Sequence, residues 1–130
     1  MFLHVSTKTN WSFIRLETDS GLVGWDECSL NGWETLQREY CLRFASELTG
    51  KQVISVADAE AACALHLHSP DGLMEHSVKS ATEQALLDVL AQQNGVPVWR
   101  LFHDAQRSSV EVYANINRAT PPRTTQITPY

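Results

Sequence analysis

The chain of 130 residues is 43% hydrophobic and 19% charged, the composition of one folded globular domain, long enough to bury about two-thirds of its unfolded surface. Ten Lys and Arg against fifteen Asp and Glu leave a net charge of −5, which argues against nucleic acid and an anionic membrane as partners. No apolar run reaches the ~20 residues of a membrane span, no secretory leader is recognisable at Met1-Phe2-Leu3-His4, and Cys28, Cys41 and Cys63 have no CxxC spacing. A disulfide framework is therefore not expected, and the expected compartment is the cytoplasm.

Residues 2–5, 11–18 and 22–28 are rich in aromatic and β-branched side chains, which suit a pleated, half-buried surface. Thr18-Asp19-Ser20-Gly21 is a turn signal between the second and third stretches, so the spacing predicts a three-stranded antiparallel meander. Asn31 followed by Glu34 resembles a capping box, and Trp33, Leu36, Tyr40, Phe44 and Leu48 then recur at helical spacing up to Gly50. Ser55 with Asp58 repeats the start signal for an Ala-rich helix to about His68. A third helix begins between Asp71 and Ser77, with Val78, Ala81, Ala85 and Val89 on one face and Leu86 and Leu90 widening it, and it ends at Asn94-Gly95 before Pro97. The fold class is α+β, the meander followed by a three-helix bundle. One more strand is expected at 110–116. The final twelve residues, 119–130, hold three of the five prolines and four threonines. They suit neither helix nor regular strand, and this ending reads as a truncation.

The candidate chemistry is sparse. His66, His68 and His76 crowd one window with Asp71 and Glu75, which together suggest a divalent metal site. Helix positions two apart point about 200° apart, however. His66 and His68 therefore cannot share an ion unless the helix has ended, and surface or capping histidines are the preferred reading. The sequon Asn10-Trp11-Ser12 falls on an expected strand without a secretory route. The three cysteines read as small buried hydrophobes. Of the four tryptophans, Trp11, Trp25 and Trp99 read as core or interface anchors, while Trp33 sits at a strand-to-helix turn where binding residues concentrate.

Ser80-Ala81-Thr82-Glu83-Gln84-Ala85-Leu86-Leu87-Asp88, then Ala91-Gln92, then Gly95-Val96-Pro97-Val98-Trp99-Arg100-Leu101-Phe102 resembles the signature of the mandelate racemase/muconate lactonizing enzyme group of the enolase superfamily. Thr18-Asp19-Ser20-Gly21-Leu22-Val23-Gly24-Trp25-Asp26-Glu27 is similar to that group's second-strand hairpin, at the matching distance upstream. There are two departures from the pattern: Asp26 stands where the group usually has Gly, and His103-Asp104 where it has Gly-Gly. Each Gly would ease a tight backbone passage, so strain is expected at Asp26 and His103.

The resemblance implies an enolase-like capping domain over 1–104, the start of a modified TIM barrel over 105–118 with only its first strand present, and an irregular tail over 119–130. In relatives the barrel supplies three carboxylates for Mg²⁺ and Lys or His acid/base groups that abstract a proton next to a carboxylate. All of these lie beyond the first barrel strand. No catalytic residue and no metal ligand is therefore carried onto this chain, and Mg²⁺ is implied only for full-length relatives. The implied function is the substrate cap of an acid-sugar dehydratase or racemase, inactive as this fragment, with a small carboxylic acid or acid sugar as substrate. The implied cap contacts are Lys8, Asn10, Asn31 and Trp33, with Lys8 and Asn31 bonding a hydroxyl or carboxylate and Trp33 packing on the carbon face. The bland alternatives are a solvated Lys8 and a core Trp33. Asn115, Asn117 and Arg118, at the end of the first barrel strand, are further candidates. The alternative function is a free-standing interaction module or homo-oligomer, dimerising through Val78, Ala85, Val89 and Trp99.

Overall fold

A computed structural model describes residues 1–6, 9–64, 72–105 and 107–113. Lys8, His66, His68, Asp71, Asn115, Asn117, Arg118 and the tail 119–130 lie outside the described residues. The elements run β1 (Phe2–Ser6), β2 (Thr9–Glu17), β3 (Val23–Glu27), α1 (Glu34–Leu48), α2 (Val56–Ala64) and α3 (Leu73–Gln93), followed by a 3₁₀ turn at Val98–Leu101.

The strands form an antiparallel sheet in the order β1-β2-β3, as the β-rich composition and the Thr18–Gly21 turn predicted. Gly21 closes the second hairpin at φ +83°, where Gly pays no Cβ penalty, and Thr18 and Leu22 seal the loop with a 3.0 Å backbone bond. Pairing of Leu3 with Trp11 and Arg15 with Trp25 puts Leu3, Trp11 and Trp25 on the outer face, because paired residues and those two apart along a strand share a face. All three are 41–46% exposed, and Trp33 is 55% exposed. Trp11 and Trp25 are therefore not core residues of this chain, while Trp99 is half-buried. The inner face carries Ser12, Ile14 and Leu16, which meet the helices.

α3 is the central element, with eleven of its 21 residues buried. Val78 and Ala85 are fully buried and Val89 is 7% exposed. The dimer surface expected at these positions is thus consumed inside the chain, covered by the meander and the other two helices. Contact with the sheet is close enough that a Cβ on Gly24 would collide with the Ala85 carbonyl oxygen and sit 2.9 Å from Val89 Cγ2. Two side chains of α3 then satisfy the outer edge of β3. The Asp88 carboxylate accepts from the Trp25 N–H at 3.2 Å, and Gln92 Nε2 donates to the Val23 carbonyl at 2.8 Å.

α1 departs from the expected stripe. Its N-cap is Trp33, with no side-chain cap, so Glu34 is the first helical residue and the expected capping box does not form. Leu36 is 37% exposed while Gln37 is fully buried. The inward line is Gln37, Tyr40, Cys41 and Phe44, so Tyr40 and Phe44 of the expected series face the core and only its first turn differs, with Gln37 in place of Leu36. α2 begins as expected. Ser55 Oγ donates to the Asp58 carboxylate at 2.7 Å and accepts the Asp58 N–H at 3.2 Å. The expected strand at 110–116 is absent over its described part: residues 110–113 pair with no strand, and Val112 and Tyr113 are about nine-tenths exposed. A barrel strand is bonded on both sides, and no described residue offers it a partner. Strain at Asp26 and His103 is also absent, since among the described residues only glycines have positive φ. Asp26 is ordinary β3 backbone opposite Ile14.

Candidate functional site

The site forms where β3 ends and the chain crosses to α1. Backbone pairing with β2 continues to Cys28, whose N–H donates to the Ser12 carbonyl at 2.8 Å. Side chains then take over the ladder. Ser29 Oγ accepts the Ser12 N–H at 2.9 Å, and Asn31 Oδ1 accepts the Asn10 N–H at 2.8 Å. Segment 29–31 is thereby fastened along β2 although it is not a strand.

Asn10 is the hub. Its Nδ2 donates to Glu34 Oε1 at 2.7 Å, and its Oδ1 lies 2.6 Å from His4 Nδ1. Reversing the amide would set two acceptors against each other at Glu34, so the carboxylate fixes the Asn10 orientation, and His4 Nδ1 must carry the proton. Glu34 Oε1 also accepts the Gly32 N–H at 3.1 Å. The hydrogen bond from Asn10, followed by those from backbone N–H groups of Glu34 and Gly32, holds the Glu34 carboxyl below the usual carboxylate range. β1, β2, the 29–33 loop and the first turn of α1 thus meet in one polar knot, and Trp33 stands exposed beside it.

Of the expected contacts, the structure brings Asn10, Asn31 and Trp33 together. The amide and carbonyl of Asn10 are both committed to protein partners. Asn31 makes the bond to Asn10 and a further interaction. Trp33 remains accessible. Glu34, Ser29 and His4 are members that sequence reading missed. The spacing of Asn31 and Glu34 was the available signal, and its joint dependence on Asn10 is a tertiary fact.

Apart from the knot, a cleft of about 990 Å³ runs between the β2–β3 hairpin, α1 and α3 and reaches Ile14, Cys41 and Phe44. None of the knot residues lines it. The described residues bring no three His, Cys, Asp or Glu side chains together. The carboxylate set that Mg²⁺ needs is therefore not found among them, and none of their side chains is given a role toward that ion. No described helix is long and apolar enough to cross a membrane.

The N-terminal domain of the mandelate racemase/muconate lactonizing enzyme family matches residues 1–102. The chain belongs to this family. A D-galactonate dehydratase from Variovorax paradoxus is 27% identical over 111 residues, covering 85% of this chain and 29% of that protein. A crystal structure of an enolase from Agrobacterium radiobacter, described as a putative galactarate dehydratase bound to sodium and L-malate, matches with a TM-score of 0.67 and 25% identity. That match covers 77% of this chain and 25% of the enolase. The chain spans less than a third of the length of either relative. Within this family's domain, Asp88 and Gln92 of the signature segment have a structural explanation as the groups that satisfy β3. Gly24 of the hairpin segment is explained by the close passage of α3.

Proposed function

We propose that this domain is the substrate cap of an acid-sugar dehydratase, with the 29–33 loop and the β1–β2 turn forming its contribution to the pocket. The observation that carries the reading is the Asn10–Asn31–Glu34 knot, which holds two chain segments in fixed register and leaves Trp33 exposed at their junction. Preorganised loops that exclude water are what a carbon-acid reaction requires of a cap, and the acid-sugar dehydratases among the relatives support the substrate class. In this reading Asn10, Asn31 and Glu34 position the loops, Trp33 packs on the carbon face of the substrate, and Lys8 bonds its hydroxyl or carboxylate. Asn115, Asn117 and Arg118 are proposed as contacts from the segment that follows the cap. The Mg²⁺ and the acid/base groups are proposed to belong to a barrel, because the described residues contain no matching constellation.

The test is a chimera in which residues 1–104 replace the matching segment of the Variovorax D-galactonate dehydratase. Dehydration of a sugar acid is expected, with Trp33→Ala raising KM about tenfold, the scale of losing one well-packed apolar contact. Turnover unaffected by Trp33→Ala and by Asn31→Ala would overturn the reading. The 130-residue chain alone is expected to dehydrate no sugar acid, and measurable turnover by it would equally count against a cap role.

A second reading, a homodimer, is favoured by the outer sheet face, where Leu3, Trp11 and Trp25 are each more than 40% exposed on one side of the sheet. Light scattering over a hundredfold concentration range tests it. A dimer that Trp11→Lys dissociates supports this face, and a monomer throughout excludes it.

A further inference from the structure

Strand pairing sets His4 of β1 opposite Asn10 of β2, one position from the outward pair Leu3 and Trp11. His4 and Asn10 therefore stand on the inner face of the sheet, in line with Ser12 and Ile14. α3 packs on that face over β3 and β2, and on β1, the far strand, His4 is left exposed. The imidazole thus lies in the corner where the first turn of α1 meets the sheet through the bond between Asn10 and Glu34.

The hydrogen bonds of that corner have a fixed sense. A carboxylate only accepts, so Asn10 turns Nδ2 to Glu34 at 2.7 Å and leaves Oδ1 to His4 Nδ1 at 2.6 Å. An amide oxygen also only accepts, which places the ring proton on Nδ1 and, in the neutral ring, a bare lone pair on Nε2. No described residue bonds that nitrogen. The corner thus carries two acceptors, His4 Nε2 and the Glu34 carboxylate, next to the exposed indole of Trp33. A hydroxyl group can donate to either acceptor, and a carbon chain bearing hydroxyls has C–H faces that rest on an indole. A carboxylate brings no proton and is repelled by Glu34.

We infer that His4 is a further substrate-contacting residue of this site and sets part of its specificity, Nε2 accepting the hydrogen bond of one hydroxyl group of a polyhydroxy carboxylic acid. The inference rests on the cap reading and deepens it. Asn10 and Glu34 are then positioning residues, acting on the substrate by fixing the tautomer of the imidazole. A ligand that covers the corner cuts Nε2 off from water, so a hydroxyl satisfies it, whereas a methylene leaves a covered acceptor unpaired. Discrimination therefore falls on the hydroxyl group rather than on the length of the carbon chain.

The experiment records long-range proton–nitrogen spectra of the imidazoles in the isotope-labelled 130-residue chain, with the five histidines told apart through His4→Phe. With the ring neutral, His4 is expected to hold its proton on Nδ1. D-Gluconate is then titrated in, with hexanoate, which has the same carbon count and carboxylate but no hydroxyl groups, as the control. Gluconate is expected to shift His4 Nε2 and the Trp33 indole together and saturably, and hexanoate to leave Nε2 unmoved. His4→Phe, at an exposed position and so without cost to the core, is expected to weaken gluconate binding about tenfold as read at Trp33, the scale of one hydrogen bond. A proton found on Nε2 overturns the inference whatever the ligands do. A Trp33 shift with His4 unmoved, or with His4→Phe binding as tightly, overturns it and leaves the cap reading standing. Silence of both residues also overturns it, and the chimera still decides the cap reading on its own.

Discussion

Gln37 is fully buried and neither its Nε2 nor its Oε1 is hydrogen-bonded. A buried amide without partners costs more than it returns, and an apolar side chain of the same length removes that cost. Gln37→Met is expected to stabilise the chain by about 1 kcal/mol, read as a higher urea midpoint at unchanged slope. Ser55→Ala acts in the other direction, because it removes the acceptor of the Asp58 N–H at the start of α2. A loss of about 1 kcal/mol in the same measurement is expected. Ser55 was readable from sequence, since a cap and its partner lie three residues apart. Gln37 was not, since the apolar series Trp33, Leu36, Tyr40 and Phe44 points to Leu36 in the first turn, where α1 instead buries Gln37. Choosing between adjacent stripes requires knowing where the helix starts, and that is decided by the tertiary knot at Glu34.

At the scale of elements, the seam between β3 and α3 carries most of the architecture. Gly24 permits the approach, and Asp88 and Gln92 bond the strand edge. Gly24→Ala forces backbone apart from backbone and is expected to cost about 3 kcal/mol, the upper end for an overpacked site. Thermal denaturation checks it, and a loss below about 1 kcal/mol would show that α3 can slide away. The meander and all three helices were legible because β-branched and aromatic composition, the Thr18–Gly21 turn and the α3 face are local patterns. Over 110–113, the described part of the strand expected at 110–116, no strand forms, and the reason is the converse one. Its β-branched composition is genuine, but a strand exists only where another strand pairs with it, and composition does not report that. The candidate site was half legible. Asn31 and Trp33 lie in a turn-rich segment and Asn10 at the start of β2, whereas Glu34 and His4 join Asn10 only once 24 and six residues of separation along the chain are folded away.

For the whole molecule, acid sensitivity follows from three carboxyl groups. Glu34 and Asp58 are held low, the first chiefly by Asn10 and the second chiefly by Ser55. Groups whose pKa falls on folding contribute stability above their unfolded value, near 4, and lose it as pH drops through the folded value. Asp26 has the opposite sign: burial raises it, with Glu27 both lowering it through a hydrogen bond and raising it by its charge. Its ionisation therefore weakens the fold above the raised value and has no effect below the unfolded one. The urea midpoint is expected to be nearly flat from pH 7 to 5 and to fall below about pH 4, with Asp26→Asn raising the neutral plateau. A midpoint that climbs on acidification through pH 4 would mean that Asp26 outweighs the other two. The bonded edge of β3 also gives the sheet a direction of growth. With Trp25 N–H and Val23 C=O already engaged by α3, a strand donated by another polypeptide would have to displace both bonds to pair on that side. Any β-augmentation, productive or amyloid-like, is expected to begin at β1, and amide exchange should show it: the Trp25 proton retained long after those along β1 have been replaced by deuterium.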